Sequence, residues 1–294
     1  MAVFVAAADE GSLSAAARRL RMPLATVSRR LADLERRLGT RLLARTTRQL
    51  TLTEAGREYL AACRDILDRV GDAERVAAGA QASPHGELVV AAPLVFGRLH
   101  VVPLVAEYLA EHADVNVRLV LSDRNANLLE DHIDVAVRIG TLPDSGLTAR
   151  PVGSITRVVC ASPAYLRRHG VPATPDDLRG HPCVTFEGLG SAAAWSFRGP
   201  RGAQRVPVRS RLIVNTADAA IAAAVRGIGI TRVMSYQVAE LIAERKLQRL
   251  LVDHEPEAVP VSLLYARQGR LPVKTRAFLE RAVDRFSVVL RRVA

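Results

Sequence analysis

The 294-residue sequence predicts an all-α N-terminal module bearing a hairpin wing, a long linker helix, and a C-terminal α/β domain folded in two lobes. Three observations predict it. Residues 12–57 hold two short helical patterns, a tight turn and an arginine-rich hairpin in one run; apolar residues then recur at near-heptad spacing; beyond residue 86, short apolar runs alternate with helical ones. The expected boundaries are 1–57 for the module, 53–80 for the linker helix and 86–294 for the α/β domain. Within that domain, lobe I takes 86–161 and 266–294, and lobe II takes 162–265.

The first helix pattern opens at Ser12, whose hydroxyl suits the orphan amides of a first turn, with Leu13, Ala16, Ala17 and Leu20 on its apolar side. Pro23 suits the first turn of a second helix, where its missing N–H would be unpaired anyway. That helix should run from Leu24 to Leu38. Val27, Leu31, Leu34 and Leu38 make its buried stripe, which leaves Thr26, Ser28, Arg29, Arg30, Asp33, Arg36 and Arg37 outside, and Gly39 is the stop.

Two short helices around a tight turn, the second with Thr, Ser and Arg in its N-terminal half, form a helix-turn-helix able to place side chains in a major groove. Thr26, Ser28, Arg29 and Arg30 are the candidates there. From Arg18 to Arg48 ten arginines face only Asp33 and Glu35, a charge that would neutralise several phosphates and make binding to double-stranded DNA salt-dependent. Arg45, Thr46, Thr47 and Arg48 lie between Leu42-Leu43 and Leu50 to Leu52, as the tip of a two-stranded wing. A charge run alone is more often the solvated face of a helical bundle. The helix-turn-helix spacing is what favours DNA.

The formal net charge is +11, and Lys246 and Lys274 are the only lysines, so the local arginine cluster carries more meaning than the total. Cys63, Cys160 and Cys183 are odd in number and widely spaced, with no metal-ligand pattern, and read as reduced thiols of a cytoplasmic protein. His181 lies two residues from Cys183, but a thiol and base so close, with Pro182 between, read as coincidence. No basic segment leads an apolar stretch, and no run reaches the roughly 18 apolar residues of a membrane span, so no membrane association is expected.

Thr53 caps a helix to about Ala80 with Leu60, Cys63, Leu67, Val70 and Ala77 recurring and Tyr59, Ile66 and Ala73 between them, a spacing that favours pairing with another helix. Residues 78–86, with Gly79, Ser83, Pro84 and Gly86, mark a boundary. Strands are then expected at 87–92, 115–121 and 135–139, with helices at 97–109 and 125–131; this βαβαβ order implies a mostly parallel sheet. A strand at 155–161 leads to a second lobe, with a strand at 183–186, an extended stretch 206–214, a helix 216–226 and a strand 229–231. A strand at 261–266 and a helix at 273–290 close the chain, and the crossings between lobes are expected near 160–162 and 265–267.

Residues 4–60 resemble the winged helix-turn-helix of the LysR-type transcriptional regulators in Gly-Ser ahead of the first helix, Ala-Ala-Ala-Arg-Arg-Leu (15–20), Val-Ser-Arg (27–29), Leu-Gly-Thr-Arg-Leu (38–42), Arg-Thr (45–46) and Leu-Thr-Glu-Ala-Gly (52–56). Two departures stand out. The family usually has several more residues ahead of the position of Phe4, so a short first helix or a trimmed start is expected. Pro23, Leu24 and Ala25 stand where a polar step is common, and Leu24 can touch only a thymine methyl. Residues 86–290 resemble the periplasmic-binding-protein type 2 fold of the same family, through Ala-Ala-Pro and Phe-Gly-Arg-Leu (91–99), Asp-Val-Ala-Val-Arg-Ile-Gly (134–140), Cys-Ala-Ser-Pro-Ala-Tyr-Leu (160–166) and Gly-Ile-Gly-Ile (227–230).

The resemblance implies a homodimer or dimer of dimers built on antiparallel linker helices, operator DNA and RNA polymerase as partners, no cofactor, and a small-molecule effector between the lobes. The effector positions fall at Leu94, Val95 and Phe96, at Arg138, Gly140 and Thr141, and at Asn215 and Thr216. Leu94 and Val95 replace the hydroxyl many relatives use, which points to a small, rather apolar organic acid meeting Arg138 or the amides of a helix start. Arg138 is equally an ion-paired strand end, Asn215 equally a helix cap, and Trp195 reads as loop packing before a ligand lid. The alternatives are a solute-binding protein or an enzyme on the two-lobed domain; the DNA module opposes the first, and the second lacks a nucleophile elbow, phosphate loop, metal cluster or carboxylate pair.

Overall fold

Three helices build the start of the chain: α1 (Ala2–Glu10), α2 (Leu13–Arg19) and α3 (Leu24–Leu38). The Ser12 hydroxyl accepts the Ala15 N–H at 3.4 Å, as its position predicts. Between α2 and α3 the turn is closed by Arg21 in a left-handed conformation (φ 51°) and by the Met22 N–H donating to the Ala17 carbonyl at 2.9 Å. Pro23 precedes α3 as its cap with extended ψ, and its carbonyl receives the Thr26 N–H at 2.9 Å. Val27, Leu31 and Leu34 are buried, but Leu38 is 39% exposed: it lies in the last turn before Gly39 reverses the chain, past the reach of the other helices. This computed structural model describes residues 1–45, 50–77, 83–123, 133–142, 146–186, 194–200, 202–266 and 271–293, in two compact units, Met1–Gly86 and Glu87–Ala294.

The wing is an antiparallel pair, β1 (Leu43–Arg45) and β2 (Leu50–Leu52), with Arg45 opposite Leu50. Arg45 therefore belongs to a strand and not to the tip. The expected tip, with Thr46 and Arg48, lies outside the described residues. Thr53 joins wing to α4 (Glu54–Ala77): its N–H donates to the Leu42 carbonyl at 3.0 Å, its hydroxyl donates to the Arg41 carbonyl at 2.7 Å, and the same oxygen accepts the Gly56 N–H at 2.9 Å. The first half of α4 turns inward, with Leu60 and Cys63 in one cluster with Phe4, Leu31, Leu34 and Leu42, and Tyr59 against Phe4. The expected helix-pairing face is thus shortened, because its first residues complete this unit's own core; Ile66 (43%) and Val70 (47%) remain exposed.

In the second unit, lobe I is a five-stranded sheet in the order β4-β3-β5-β14-β6, from β3 (Gly86–Ala92), β4 (Val115–Leu121), β5 (Val135–Ile139), β6 (Thr148–Ile155) and β14 (Val259–Tyr265). β3 and β5 are parallel, but β14 runs antiparallel to both β5 and β6, so the sheet is mixed and not mostly parallel. The helix after β3 comes in three pieces, α5 (Leu94–Phe96), a π turn (Gly97–Val101) and α6 (Val102–Glu111), and α10 (Val273–Val293) packs on β6. There Gly153 meets Leu290 so closely that an added Cβ would stand 2.9 Å from its side chain. The expected helix at 125–131 lies outside the described residues.

Lobe II carries a sheet in the order β11-β8-β12-β7-β13, from β7 (Arg157–Ala161), β8 (Pro182–Phe186), β11 (Arg209–Val214), β12 (Ile230–Met234) and β13 (Gln248–Leu250). Around it lie α7 (Pro163–His169), the hairpin β9 (Ala194–Gly199) and β10 (Gly202–Pro207), α8 (Ala217–Val225) and α9 (Ser235–Ala243). Both crossings come one strand earlier than expected. Arg157–Ala161 pairs with β12 and belongs to lobe II, while Val259–Tyr265 pairs with β5 and β6 and belongs to lobe I. The chain passes between lobes at Thr156, whose carbonyl accepts the Ser235 N–H at 2.9 Å and whose N–H donates to the Ser235 hydroxyl at 3.4 Å, and again after Leu250.

Candidate functional site

In the first unit, α3 presents Leu24, Ala25, Arg29 and Arg30 to solvent, with Thr26 and Ser28 half-buried beside them. Among the described residues neither Arg29 nor Arg30 forms a hydrogen bond or ion pair, so their charge is not spent within the fold. Arg30 borders a groove of about 420 Å³ between α1 and α3, shared with Met1, Phe4, Asp33 and Arg37; Arg29 does not. Elsewhere the cluster is partly neutralised: Arg19 pairs with Asp9 (3.3 Å) and Glu10 (3.4 Å), Arg36 with Asp33 (2.7 Å), and Arg64 with Asp9.

Glu35 has a role that a charge count hides. Its Oε1 accepts the N–H groups of Leu42 (2.8 Å) and Leu43 (3.1 Å), fixing the start of the wing to α3. Gly56 is the second such residue. A Cβ there would lie 2.0 Å from the Leu42 carbonyl oxygen, so the first turn of α4 sits against the wing only because the side chain is absent. Together Glu35, Thr53 and Gly56 hold helix, wing and linker in one frame, which gives two residues of Leu-Thr-Glu-Ala-Gly a structural role.

In the second unit the expected ligand residues separate. Val95 (1% exposed) and Phe96 are core side chains; Phe96 makes edge contacts with Tyr236 (5.4 Å between centroids), His100 (4.9 Å) and Phe286 (5.2 Å). They turn inward because 94–96 is the first turn of a helix and not an open loop. Leu94 is half-buried, and its N–H, the anion donor expected of a helix start, already meets Asp123 Oδ1 at 3.0 Å. Arg138 is half-buried on β5 opposite Ser262, and burial lowers its pKa. Gly140 has φ 120° and donates its N–H to the Pro260 carbonyl at 2.9 Å, with exposed Thr141 beside it. Asn215 is exposed and is not the cap of α8; the Thr216 hydroxyl is, accepting the Ala219 N–H at 3.3 Å.

Residues not singled out from sequence bridge the lobes. Arg98 of lobe I pairs with Asp218 of lobe II at 3.1 Å, and Tyr236 of α9 packs on Phe96 with its hydroxyl accepting from Gln237 Nε2 at 3.3 Å. Burial, with Asp123 and Asp218 nearby, pushes the Tyr236 phenol far above its usual range, so it stays a neutral hydroxyl. The signal for Arg98 was present in Phe-Gly-Arg-Leu; nothing in the sequence ties it to Asp218. Trp195 is buried on β9, in a hairpin rather than a loop, under the guanidinium of Arg232 at 5.3 Å.

The three thiols are buried. Cys160 and Cys183 are pushed up to about 12 by burial. Cys183 donates to the His181 carbonyl at 3.5 Å, while His181 Nδ1 faces the Tyr165 hydroxyl at 3.0 Å, so ring and thiol form no dyad. Among the described residues no group of His, Cys, Asp and Glu is placed to hold a metal, and no helix is long and apolar enough to cross a membrane.

Comparison with known proteins fits both units. Residues 1–57 match the family model "Bacterial regulatory helix-turn-helix protein, lysR family", and residues 81–287 match "LysR substrate binding domain". The chain is 32% identical over 283 residues to the probable HTH-type transcriptional regulator LtrA of Klebsiella pneumoniae, covering 95% of this chain and 92% of that one. The solved structure of CrgA, a LysR-type transcriptional regulator from Neisseria meningitidis, is similar at 33% identity and TM-score 0.64, with 97% of each chain covered. Full-length AphB, a Vibrio cholerae virulence activator, is similar at 26% identity and TM-score 0.63, with 96% of each covered.

Proposed function

This chain belongs to the LysR-type transcriptional regulators, and from that premise we propose how its own residues divide the work of binding an operator and answering an effector. Membership leaves the solute-binding and enzyme alternatives without support. The observation that carries the DNA reading is the exposed, unspent start of α3. Arg29 and Ser28 read base edges, Thr26 and Arg30 flank them, and Arg45, Thr46 and Arg48 of the wing hold phosphates. Two such modules, joined through Ile66 and Val70 of α4 in a homodimer or a dimer of dimers, meet two half-sites in the cytoplasm. The signal passes to RNA polymerase by direct contact or by altered DNA geometry.

The effector in this reading is a small organic acid held between the lobes by Leu94, Arg138, Gly140, Thr141, Asn215 and Thr216. The Arg98–Asp218 pair spans the same two lobes, so a ligand that favours one lobe arrangement shifts the population that binds DNA productively. Val95 and Phe96 act here through packing. Fragments of the parent genome selected by the full chain supply the operator. Calorimetry with a panel of carboxylic acids then tests the effector site: binding that Arg138→Ala leaves unchanged removes Arg138 from it, and fragments recovered equally by an Arg29→Ala chain remove Arg29 from base reading.

A further inference from the structure

Arg232 on β12 stands opposite Val159 of β7, and Arg157 stands two residues before Val159, so the two guanidinium side chains are diagonal neighbours on one face of the lobe II sheet. That face carries Val159 and Leu250 and is roofed by Trp195 and Phe197 of the β9–β10 hairpin, while Val158, Cys160 and Val233 point the other way toward α8 and α9. Arg232 is 8% exposed, and its Nε is buried with no partner. Its other contacts are a 3.4 Å hydrogen bond from Nη1 to the Ser196 carbonyl and the Trp195 ring. Among the described residues no carboxylate meets Arg157 or Arg232. Arg249, in the same sheet, shows the contrast: it donates to both oxygens of Glu255, at 2.6 and 2.5 Å.

Two like charges taken out of water side by side are costly unless something negative is placed with them, and apolar residues would fill the space more cheaply. Desolvation and the neighbouring Arg157 hold Arg232 down at about 10, the cost expressed as a lost affinity for its proton. Arg157 is only half-buried and opens the pair to solvent. We propose that Arg157 and Arg232 form an oxyanion site on the hairpin-covered face of lobe II, taking a small phosphate or carboxylate whose oxygens meet the two planar guanidinium forks. It lies on the sheet face away from α8 and α9, one residue past the Thr156 crossing.

Trp195 is the only tryptophan in the chain and lies against Arg232, so its emission reports this site alone. The full chain is titrated with inorganic phosphate or with succinate against chloride at matched ionic strength, and emission and calorimetric heat are followed together. Saturation by either ion assigns the site, and the better of the two gives its class. Arg157→Met, half-buried and tolerant, weakens the response by at least about tenfold, the loss of one charge-assisted contact, and Arg232→Met abolishes it. The proposal is overturned if neither ion changes Trp195 emission, if heat appears without an emission change, or if the Arg157→Met chain responds as the unmodified chain does. A response lost in Arg138→Ala but kept in Arg157→Met would place the anion between the lobes and equally overturn it.

Discussion

Replacing Gly56 by alanine tests whether the frame of wing and linker is as tight as its contacts imply. On helix propensity alone the change should stabilise α4 by about 1 kcal/mol. The added Cβ, however, falls 2.0 Å from the Leu42 carbonyl oxygen, 2.9 Å from its carbon and 3.2 Å from Leu52 Cδ2. That carbonyl must retreat by more than an ångström, and it cannot do so while holding the Thr53 N–H at 3.0 Å and, at 3.2 Å, the weaker branch of the Thr53 hydroxyl proton shared with the Arg41 carbonyl. The loss of the N–H bond at about 0.5–1.5 kcal/mol, plus about 1–3 kcal/mol of overpacking, outweighs the propensity gain and leaves a net loss of about 0.5–3.5 kcal/mol. Hydrogen exchange of α3 and α4 amides in the full chain reads this as a lower opening free energy. Gly39→Ala is the control: its φ of 67° costs strain but the space is open, so the loss stays near 1–2 kcal/mol. Equal or better protection in Gly56→Ala would refute the steric reasoning.

Arg29→Ala should lose about 1–3 kcal/mol of operator affinity and relax one base preference, whereas Arg48→Ala should weaken all DNA alike and flatten the salt slope by about one unit; competition binding at several salt concentrations separates them. Val70→Glu, placing a charge on the exposed apolar stretch of α4, should shift the chain toward monomer in sedimentation, and an unchanged oligomer would put the interface elsewhere. His100 lies between Phe96 and Tyr236 with its Nε2 buried and unpartnered; burial first, then Arg285, lowers its pKa from 6.5. The unfolded chain therefore takes up the proton first, so stability should fall as pH drops below 6.5, and His100→Phe should flatten that fall in thermal melts.

The sequence is easiest to read where local chemistry and tertiary contact agree. Ser12, Thr53 and Gly39 occupy the cap positions their residue types predict, and β4 and β5 have the bounds their apolar runs suggest. It is hardest where an element depends on distant partners. β6 passes through Arg150, Pro151 and Gly153, which break any alternation; it survives because it is an edge strand, where proline is tolerated, sealed by α10. Leu60 and Cys63 fit a heptad, yet which helix covers them is decided by Phe4, some sixty residues earlier. The same limit governs the candidate site. Arg29 and Arg30 are legible because they lie on one short helix; Val95 and Phe96 are not, because the helix expected from 97 already begins at Leu94 and passes into a π turn that has no sequence signature. Arg98 with Asp218, and Arg157 with Arg232, are pairs made only by folding.

The early return of the chain to lobe I bears on how the protein is made. Strand β14 sits between β5 and β6 in the sheet, yet it leaves the ribosome roughly a hundred residues after β6, once all of lobe II has been synthesised. Lobe II is one continuous stretch and has every strand it needs as soon as β13 emerges. Lobe I must wait with two strand edges unpaired, each a template for a wrong partner, until β14 closes the gap. A nascent chain arrested with β13 outside the ribosome and Val259 still inside it should therefore display a finished second lobe and an open first one, and chaperone demand should peak over that interval of translation.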